Sequence, residues 1–174
     1  MAIVLITGGA RSGKSRYAEE RARQAGARLL YVATAEAGDD EMARRIDEHR
    51  KRRGNDWITV EEPVEIGRRL LEQRGKIDAA VVDCVTLWIS NLHLRNGDAE
   101  KEIEALVDTL TRLDYDTFFV TNEVGAGIVP DNALARRFRD LVGRANQRLA
   151  QVADEVVLMV AGLPMNVKKG GACD

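Results

Sequence analysis

The chain has 174 residues, 45% of them hydrophobic and 31% charged, with a formal net charge of −2. That length is most simply one domain, 1–174, long enough to bury a substantial core. The slight acidic excess argues against a general nucleic-acid or membrane-surface binder. No apolar run approaches the roughly 20 residues that a bilayer span needs, and no basic segment precedes an apolar stretch at the N-terminus as in a secretory signal. Two cysteines, Cys84 and Cys173, make neither a disulfide framework nor a zinc site. The expectation is a soluble, cytoplasmic protein.

Apolar runs of strand type alternate with helical patterns, which predicts a parallel sheet covered on both faces. Ile3–Thr7 is the first strand. It leads into Gly8-Gly9-Ala10-Arg11-Ser12-Gly13-Lys14-Ser15, which fits G-x-x-x-x-G-K-[ST] without a mismatch. A helix over Lys14 to about Gln24 follows, stopped by Gly26, and then a strand over Arg28–Ala33. Gly38-Asp39-Asp40 opens a charged helix over Asp40–Arg53, broken by Gly54-Asn55-Asp56 before a short strand from Trp57 to Val60. Glu65–Arg74 reads as a helix closed by Gly75, and Ala79–Asp83 as a buried strand ending on a carboxylate.

Thr86–Leu94 is apolar with helical spacing, and Glu100–Leu113 is amphipathic, with Ile103, Leu106, Val107 and Leu110 on one face. Thr117–Thr121 is the next strand and runs into Asn122-Glu123-Val124-Gly125-Ala126-Gly127. A long helix follows Pro130, with Asp131 as its expected N-cap, and Glu155–Ala161 is the last parallel strand. Gly162-Leu163-Pro164 then turns the chain into a short antiparallel strand, Met165–Lys168, and 169–174 reads as a frayed tail.

The eight residues from Gly8 to Ser15 carry the first chemistry. Glycines let backbone N–H groups curl around phosphate oxygens, and the helix that follows aims its positive end at them. Lys14 would reach the β and γ phosphates, and the Ser15 hydroxyl would ligate Mg²⁺. A plain glycine-rich turn is the bland alternative, but pattern, strand and helix agree against it. Asp83, at the C-terminal end of its strand, stands where open α/β sheets place ligands; a capping or turn aspartate is the bland alternative, and beside a phosphate loop its expected role is to hold Mg²⁺ directly or through water. Thr34 and Asn122-Glu123 end neighbouring strands and should line the same crevice.

The helix over Asp40–Arg53 is the second informative stretch. Met42, Ile46 and His49 share one face, overlapped by a cationic stripe of Arg45, His49, Arg52 and Arg53. Such a stripe is ordinarily a solvated face and a lone histidine ordinarily structural, yet a triphosphate needs more positive charge than Lys14 supplies. His93, in an apolar segment, reads as structural.

Taken together these motifs resemble the bifunctional adenosylcobinamide kinase / adenosylcobinamide-phosphate guanylyltransferase family of cobalamin biosynthesis. The resemblance runs from about Ile3 to Lys168. It rests on Thr7–Ser15, Tyr31–Ala35, Asp39–His49, Trp57–Glu61, Val82–Thr86, Thr121–Pro130 and Asn146–Ala150, in order. The stretch TNEVGAGIVP and the DDEM…H arrangement are far more specific than the phosphate loop.

The fold so implied is an α/β phosphate-loop NTPase with a mostly parallel RecA-like sheet flanked by helices and a short antiparallel C-terminal strand. The activity implied is transfer of phosphate from ATP or GTP to the aminopropanol hydroxyl of adenosylcobinamide. GMP then passes from GTP through a covalent adduct on a histidine, here His49, to adenosylcobinamide phosphate, with pyrophosphate released. Carried over by position, the nucleotide contacts are Gly8, Gly9, Ala10, Arg11, Ser12, Gly13, Lys14, Ser15, Ala33, Thr34, Ala35, Arg50, Lys51, Arg52, Arg53, Glu61 and Asp83. The resemblance also implies a homotrimer.

Two competing functions begin with the same loop. Another small-molecule kinase of nucleotide or shikimate type would not need His49. A regulatory GTP switch would order a loop for a protein partner, but the guanine-reading N-K-x-D run is absent from the sequence. A nucleic-acid motor sits poorly with the acidic charge and small size.

Overall fold

Seven strands form one sheet. β1 (Ile3–Gly8), β2 (Leu29–Ala33), β3 (Trp57–Glu61), β4 (Ala79–Asp83), β5 (Asp116–Val120), β6 (Glu155–Val160) and β7 (Leu163–Lys168) lie in the order β3-β2-β4-β5-β1-β6-β7. Every pairing is parallel except that of β6 with β7. This computed structural model describes residues 1–38 and 40–169, without the side chains of Glu41, Met42, Arg45, His49, Arg52 and Asn55.

The central strands are apolar on both faces because helices cover both. Val4 and Ile6 of β1 pack with Ala18 and Ala22 of α1 (Lys14–Ala25) on one side. Ile3 and Leu5 face the other side. There α3 (Ile66–Leu71), α4 (Val85–Leu94), α5 (Ala99–Leu110) and α6 (Ala133–Val152) bury Leu70, Trp88, Ile103, Leu110, Val142 and Leu149 against the sheet. α2 (Asp40–Arg53) stands apart, and among its described side chains only Arg53 is buried.

The expected elements are all present, with shifted ends. α3 stops at Leu71 and the chain continues in turns to Gly75, whose φ of 70° takes it out of helical geometry. α5 stops at Leu110, and α4 begins one residue earlier than expected, at Val85. The N-cap of α6 is Asn132 and not Asp131: Asn132 Oδ1 accepts the Ala135 N–H at 2.7 Å, while the Asp131 carbonyl takes the Arg136 guanidinium. β7 starts at Leu163 and runs through Pro164, which the edge position permits because that strand needs no second set of ladder bonds. The expected tail lies, from 170 on, outside the described residues.

Candidate functional site

Parallel strands all end on one side, so the loops that follow β1, β2, β4 and β5 open on a common crevice. The loop Gly8–Gly13 leaves β1 through Gly8 at φ 146° and enters α1 through Gly13 at φ 94°. A β-carbon at Gly8 would sit 2.5 Å from the Met159 carbonyl oxygen of β6, so no larger residue fits. Arg11 is also left-handed, at φ 54°, and such reversals turn successive N–H groups inward as an anion nest. From behind, the turn between β6 and β7 holds the loop, with Gly162 N–H donating to Ser12 O at 3.1 Å.

Lys14 is 7% exposed, and its Nζ donates to the carbonyls of Gly8 (3.0 Å) and Gly9 (2.6 Å). The ammonium therefore lies within the loop it serves. Ser15, in the first turn of α1, is half-buried. Among the described residues the Ser12 and Thr7 hydroxyl oxygens are buried without a hydrogen-bond partner, polar capacity that a bound phosphate or water can use.

Asp83 ends β4, two strands from β1, and is half-buried. Its Oδ2 accepts the Tyr31 hydroxyl at 2.6 Å. Burial and the neighbouring Asp83 carboxylate push the Tyr31 pKa well above its ordinary value, so Tyr31 stays a donor. A hard cation suits this end of the sheet, because Ser15 and Asp83 offer oxygen ligands. Among the described residues no three His, Cys, Asp or Glu side chains converge, so the nucleotide's own oxygens would complete such a site.

The nucleotide contacts expected elsewhere fall into three groups. Thr34 is fully buried: its hydroxyl accepts the Cys84 N–H (2.7 Å) and donates to the Cys84 carbonyl (2.8 Å), and its own carbonyl accepts Asn91 Nδ2. It holds the ends of β2 and β4 together, while Ala33 and Ala35 beside it are partly exposed. Arg50 and Glu61 are both exposed and face each other at 3.9 Å, joining α2 to the end of β3, and Lys51 pairs with Asp47 within α2. Arg53 is not on a solvated face, the ordinary place for such a stripe: it is 4% exposed, with its guanidinium 3.7 Å from the centre of the Tyr31 ring. His49 and Arg52 lie on α2, and their side chains are outside the described residues, as are those of Met42 and Arg45. His93 sits near the end of α4 with its Nε2 buried and unpartnered among the described residues.

One feature went unassigned in the sequence. Beyond the end of β5, the Asn122 N–H donates to Thr86 Oγ1 at 2.7 Å, and Thr121 Oγ1 donates to Asn146 Oδ1 at 2.7 Å. The 3.2 Å contact between the Thr86 and Thr121 hydroxyls must then run from Thr86 to Thr121. Asn146 Nδ2 closes the ring on the Asn122 carbonyl at 3.3 Å. The signal available was three polar residues, on α4, just beyond β5 and on α6, the two threonines at buried positions. This ring fixes the loop that follows β5, and that loop touches the phosphate loop directly, with Glu123 N–H donating to Gly8 O at 3.1 Å.

A strand, a glycine-rich loop ending in Lys-Ser and a helix, with a carboxylate two strands away across a sheet covered on both faces, define a phosphate-loop nucleotide-binding protein. Solved structures share the fold. The flagellar accessory protein FlaH from Methanocaldococcus jannaschii superposes with a TM-score of 0.57 at 14% identity, covering 97% of this chain and 79% of that one. An ATPase from the type III secretion system of pathogenic bacteria gives 0.62 at 11% identity, covering 95% and 56%. The chain belongs to the cobinamide kinase / cobinamide phosphate guanyltransferase family, whose pattern matches residues 4–167. It is 45% identical to the bifunctional adenosylcobalamin biosynthesis protein CobP of Pseudomonas aeruginosa, over 94% of this chain and 96% of that one. It is 41% identical to the bifunctional protein CobU of Salmonella typhimurium, over 95% and 99%. The chain is thus an enzyme of the transferase class, a cobinamide kinase and cobinamide-phosphate guanylyltransferase by family. Among the described residues no helix is long and apolar enough to cross a membrane.

Proposed function

We propose that one phosphate-loop site serves both reactions of this family, with the two phosphates attacked at different positions along the same bound triphosphate. In the first, ATP or GTP gives its γ-phosphate to the aminopropanol hydroxyl of adenosylcobinamide. In the second, His49 attacks the α-phosphorus of GTP, pyrophosphate leaves, and the resulting guanylyl-histidine passes GMP to adenosylcobinamide phosphate. Lys14 and the N–H groups of Gly8–Ser15 bind the phosphate oxygens in both. Ser15 and Asp83 hold Mg²⁺, which when bound neutralises phosphate charge. Ala33, Ala35, Arg50 and Glu61 border the remainder of the nucleotide.

The observation that carries this reading is the convergence of loop, Asp83 and the α2–β3 pair Arg50–Glu61 on one end of one sheet. A neutral imidazole suits the chemistry because histidine titrates near neutrality and needs no strong base to become a nucleophile. The enzyme works in the cytoplasm as a homotrimer. Exposed apolar side chains on the β6–β7 hairpin, Val160, Leu163, Met165 and Val167, support self-association.

Incubation with α-labelled GTP should yield an acid-labile, base-stable protein adduct. His49→Ala should abolish it while leaving phosphorylation of adenosylcobinamide largely intact. Labelling that survives the substitution would rule out His49 as the nucleophile. A simple small-molecule kinase would give no adduct at all.

A further inference from the structure

Only one of the two reactions asks the protein to remove a proton from the acceptor. The kinase acceptor is an alcohol, whose O–H must be broken as the new O–P bond forms. The guanylyl acceptor is a phosphate, already an anion at neutral pH, and the histidine nucleophile brings its own lone pair. A carboxylate that serves the kinase step alone should therefore be present near the γ-phosphate end of the loop, with an oxygen free of cationic partners.

Among the described residues, five carboxylates lie at or within three residues of the C-terminal ends of β2, β3, β4 and β5. Asp83 receives the Tyr31 hydroxyl and is the arm toward Mg²⁺. Glu62 is buried and held by the Val64 and Glu65 N–H groups and by Arg69; burial pushes its pKa up, but these bonds outweigh it and leave it low, a poor base. Glu36 is paired with Arg95, and Glu61 faces Arg50. Glu123 differs from all of them. Val120 of β5 lies in register with Ile6 of β1 on one side and Asp83 of β4 on the other, so the chain beyond it emerges between the phosphate loop and Asp83. Its N–H is fixed to Gly8 O, its side chain is exposed, and Oε1 accepts the Gly125 N–H at 2.5 Å. The loop is held beneath by the Thr86–Thr121–Asn146 ring.

We infer that Glu123 is the general base of the kinase reaction, a role that rests on the two-reaction reading above. The acceptor hydroxyl oxygen attacks the γ-phosphorus. The bond from that phosphorus to the β–γ bridging oxygen breaks, and the nucleoside diphosphate leaves with its electron pair. The hydroxyl proton moves to the Glu123 carboxylate and then to solvent.

The test is Glu123→Gln, which keeps the oxygen that accepts the Gly125 N–H and removes the base. Three measurements are made on wild type and variant: phosphorylation of adenosylcobinamide, labelling of the protein by α-labelled GTP, and guanylyl transfer to adenosylcobinamide phosphate supplied ready-made. The variant should lose about 10²- to 10⁴-fold in kcat for the first and stay within about threefold of wild type in the other two, a margin far below what losing a proton acceptor costs. Glu123→Asp should recover part of the kinase rate. A kinase rate near wild type, or a parallel fall in all three measurements, would overturn the role, the second outcome marking Glu123 as structural. A wild type inert in the labelling and transfer assays but active as a kinase would overturn the two-reaction reading while leaving the Gln and Asp comparison to decide Glu123.

Discussion

Thr121→Val tests whether the hydrogen-bond ring beyond β5 is what holds the crevice loop. Thr121 is fully buried, accepts from Thr86 and donates to Asn146. Valine keeps the β-branched shape and removes both bonds. Two net hydrogen-bond contributions of about 1 kcal/mol each are lost, and the hydroxyl of Thr86, a residue only 5% exposed, is left with a proton and no acceptor. The added methyl returns about 0.8 kcal/mol of burial. The net cost is about 2–3 kcal/mol, which for a chain of this size lowers Tm by about 5–10 °C. Thermal unfolding followed by circular dichroism reads this. The control is Thr117→Val, on the strand that leads to Thr121 and equally buried, whose hydroxyl among the described residues makes only a 3.5 Å contact with the Tyr115 carbonyl; it should be nearly neutral. Hydrogen exchange across 122–130 should rise in the first variant and not in the second, because the Glu123 amide depends on the ring for its place against Gly8. Equal Tm shifts in the two variants would refute the argument.

Lys14→Ala should depress phosphorylation and guanylyl transfer together, each by about 10²- to 10³-fold in kcat; loss of only one activity would argue for two separate nucleotide sites. Burial pushes the Cys84 thiol up to about 12, so in a Cys173→Ser background no thiol should react with a disulfide reagent at pH 8 until denaturant is added. The Arg28 side chain, with the Arg28 and Ala27 N–H groups, holds the Asp78 carboxyl at about 2 instead of 3.8. A depressed carboxylate stabilises the fold above its unfolded value and loses that contribution as pH falls through its folded one. Asp78→Asn should therefore flatten the acid limb of the stability curve between those two values, measured by urea midpoints against pH.

Much of this architecture was readable because local and global signals coincide. The loop needs a strand before it, glycines within it and a helix after it, and the sequence from Ile3 to Ala25 supplies all three in one stretch. Strands such as Ala79–Asp83 carried their bounds in an uninterrupted apolar run. Where the reading slipped, the deciding contacts were nonlocal or nearly equal. Asp131 and Asn132 are both good caps, and it is Asn132 whose side-chain oxygen meets the Ala135 N–H as the helix begins at Ala133. Arg53 belongs by periodicity to a cationic stripe, ordinarily a solvated face, but the Tyr31 ring, on another element, covers it. Thr34 reads as a crevice residue from its position at a strand end, and only the approach of β4 reveals that its hydroxyl is committed to Cys84. The ring of Thr86, Thr121 and Asn146 unites three elements and has no local pattern at all.

Arg53 also ties together the two halves of the proposed site. It ends α2, the helix that carries His49 one turn earlier, and its guanidinium rests on the ring of Tyr31. The hydroxyl of that same tyrosine donates to Asp83. A cation over an aromatic face is worth about 2 kcal/mol once desolvated, and a donor held to a carboxylate orients the carboxylate's other oxygen. One side chain of β2 therefore touches both the end of the histidine-bearing helix and the carboxylate that ends β4. Geometry at Asp83 and placement of α2 are not independent, because both are set by where Tyr31 sits in the sheet.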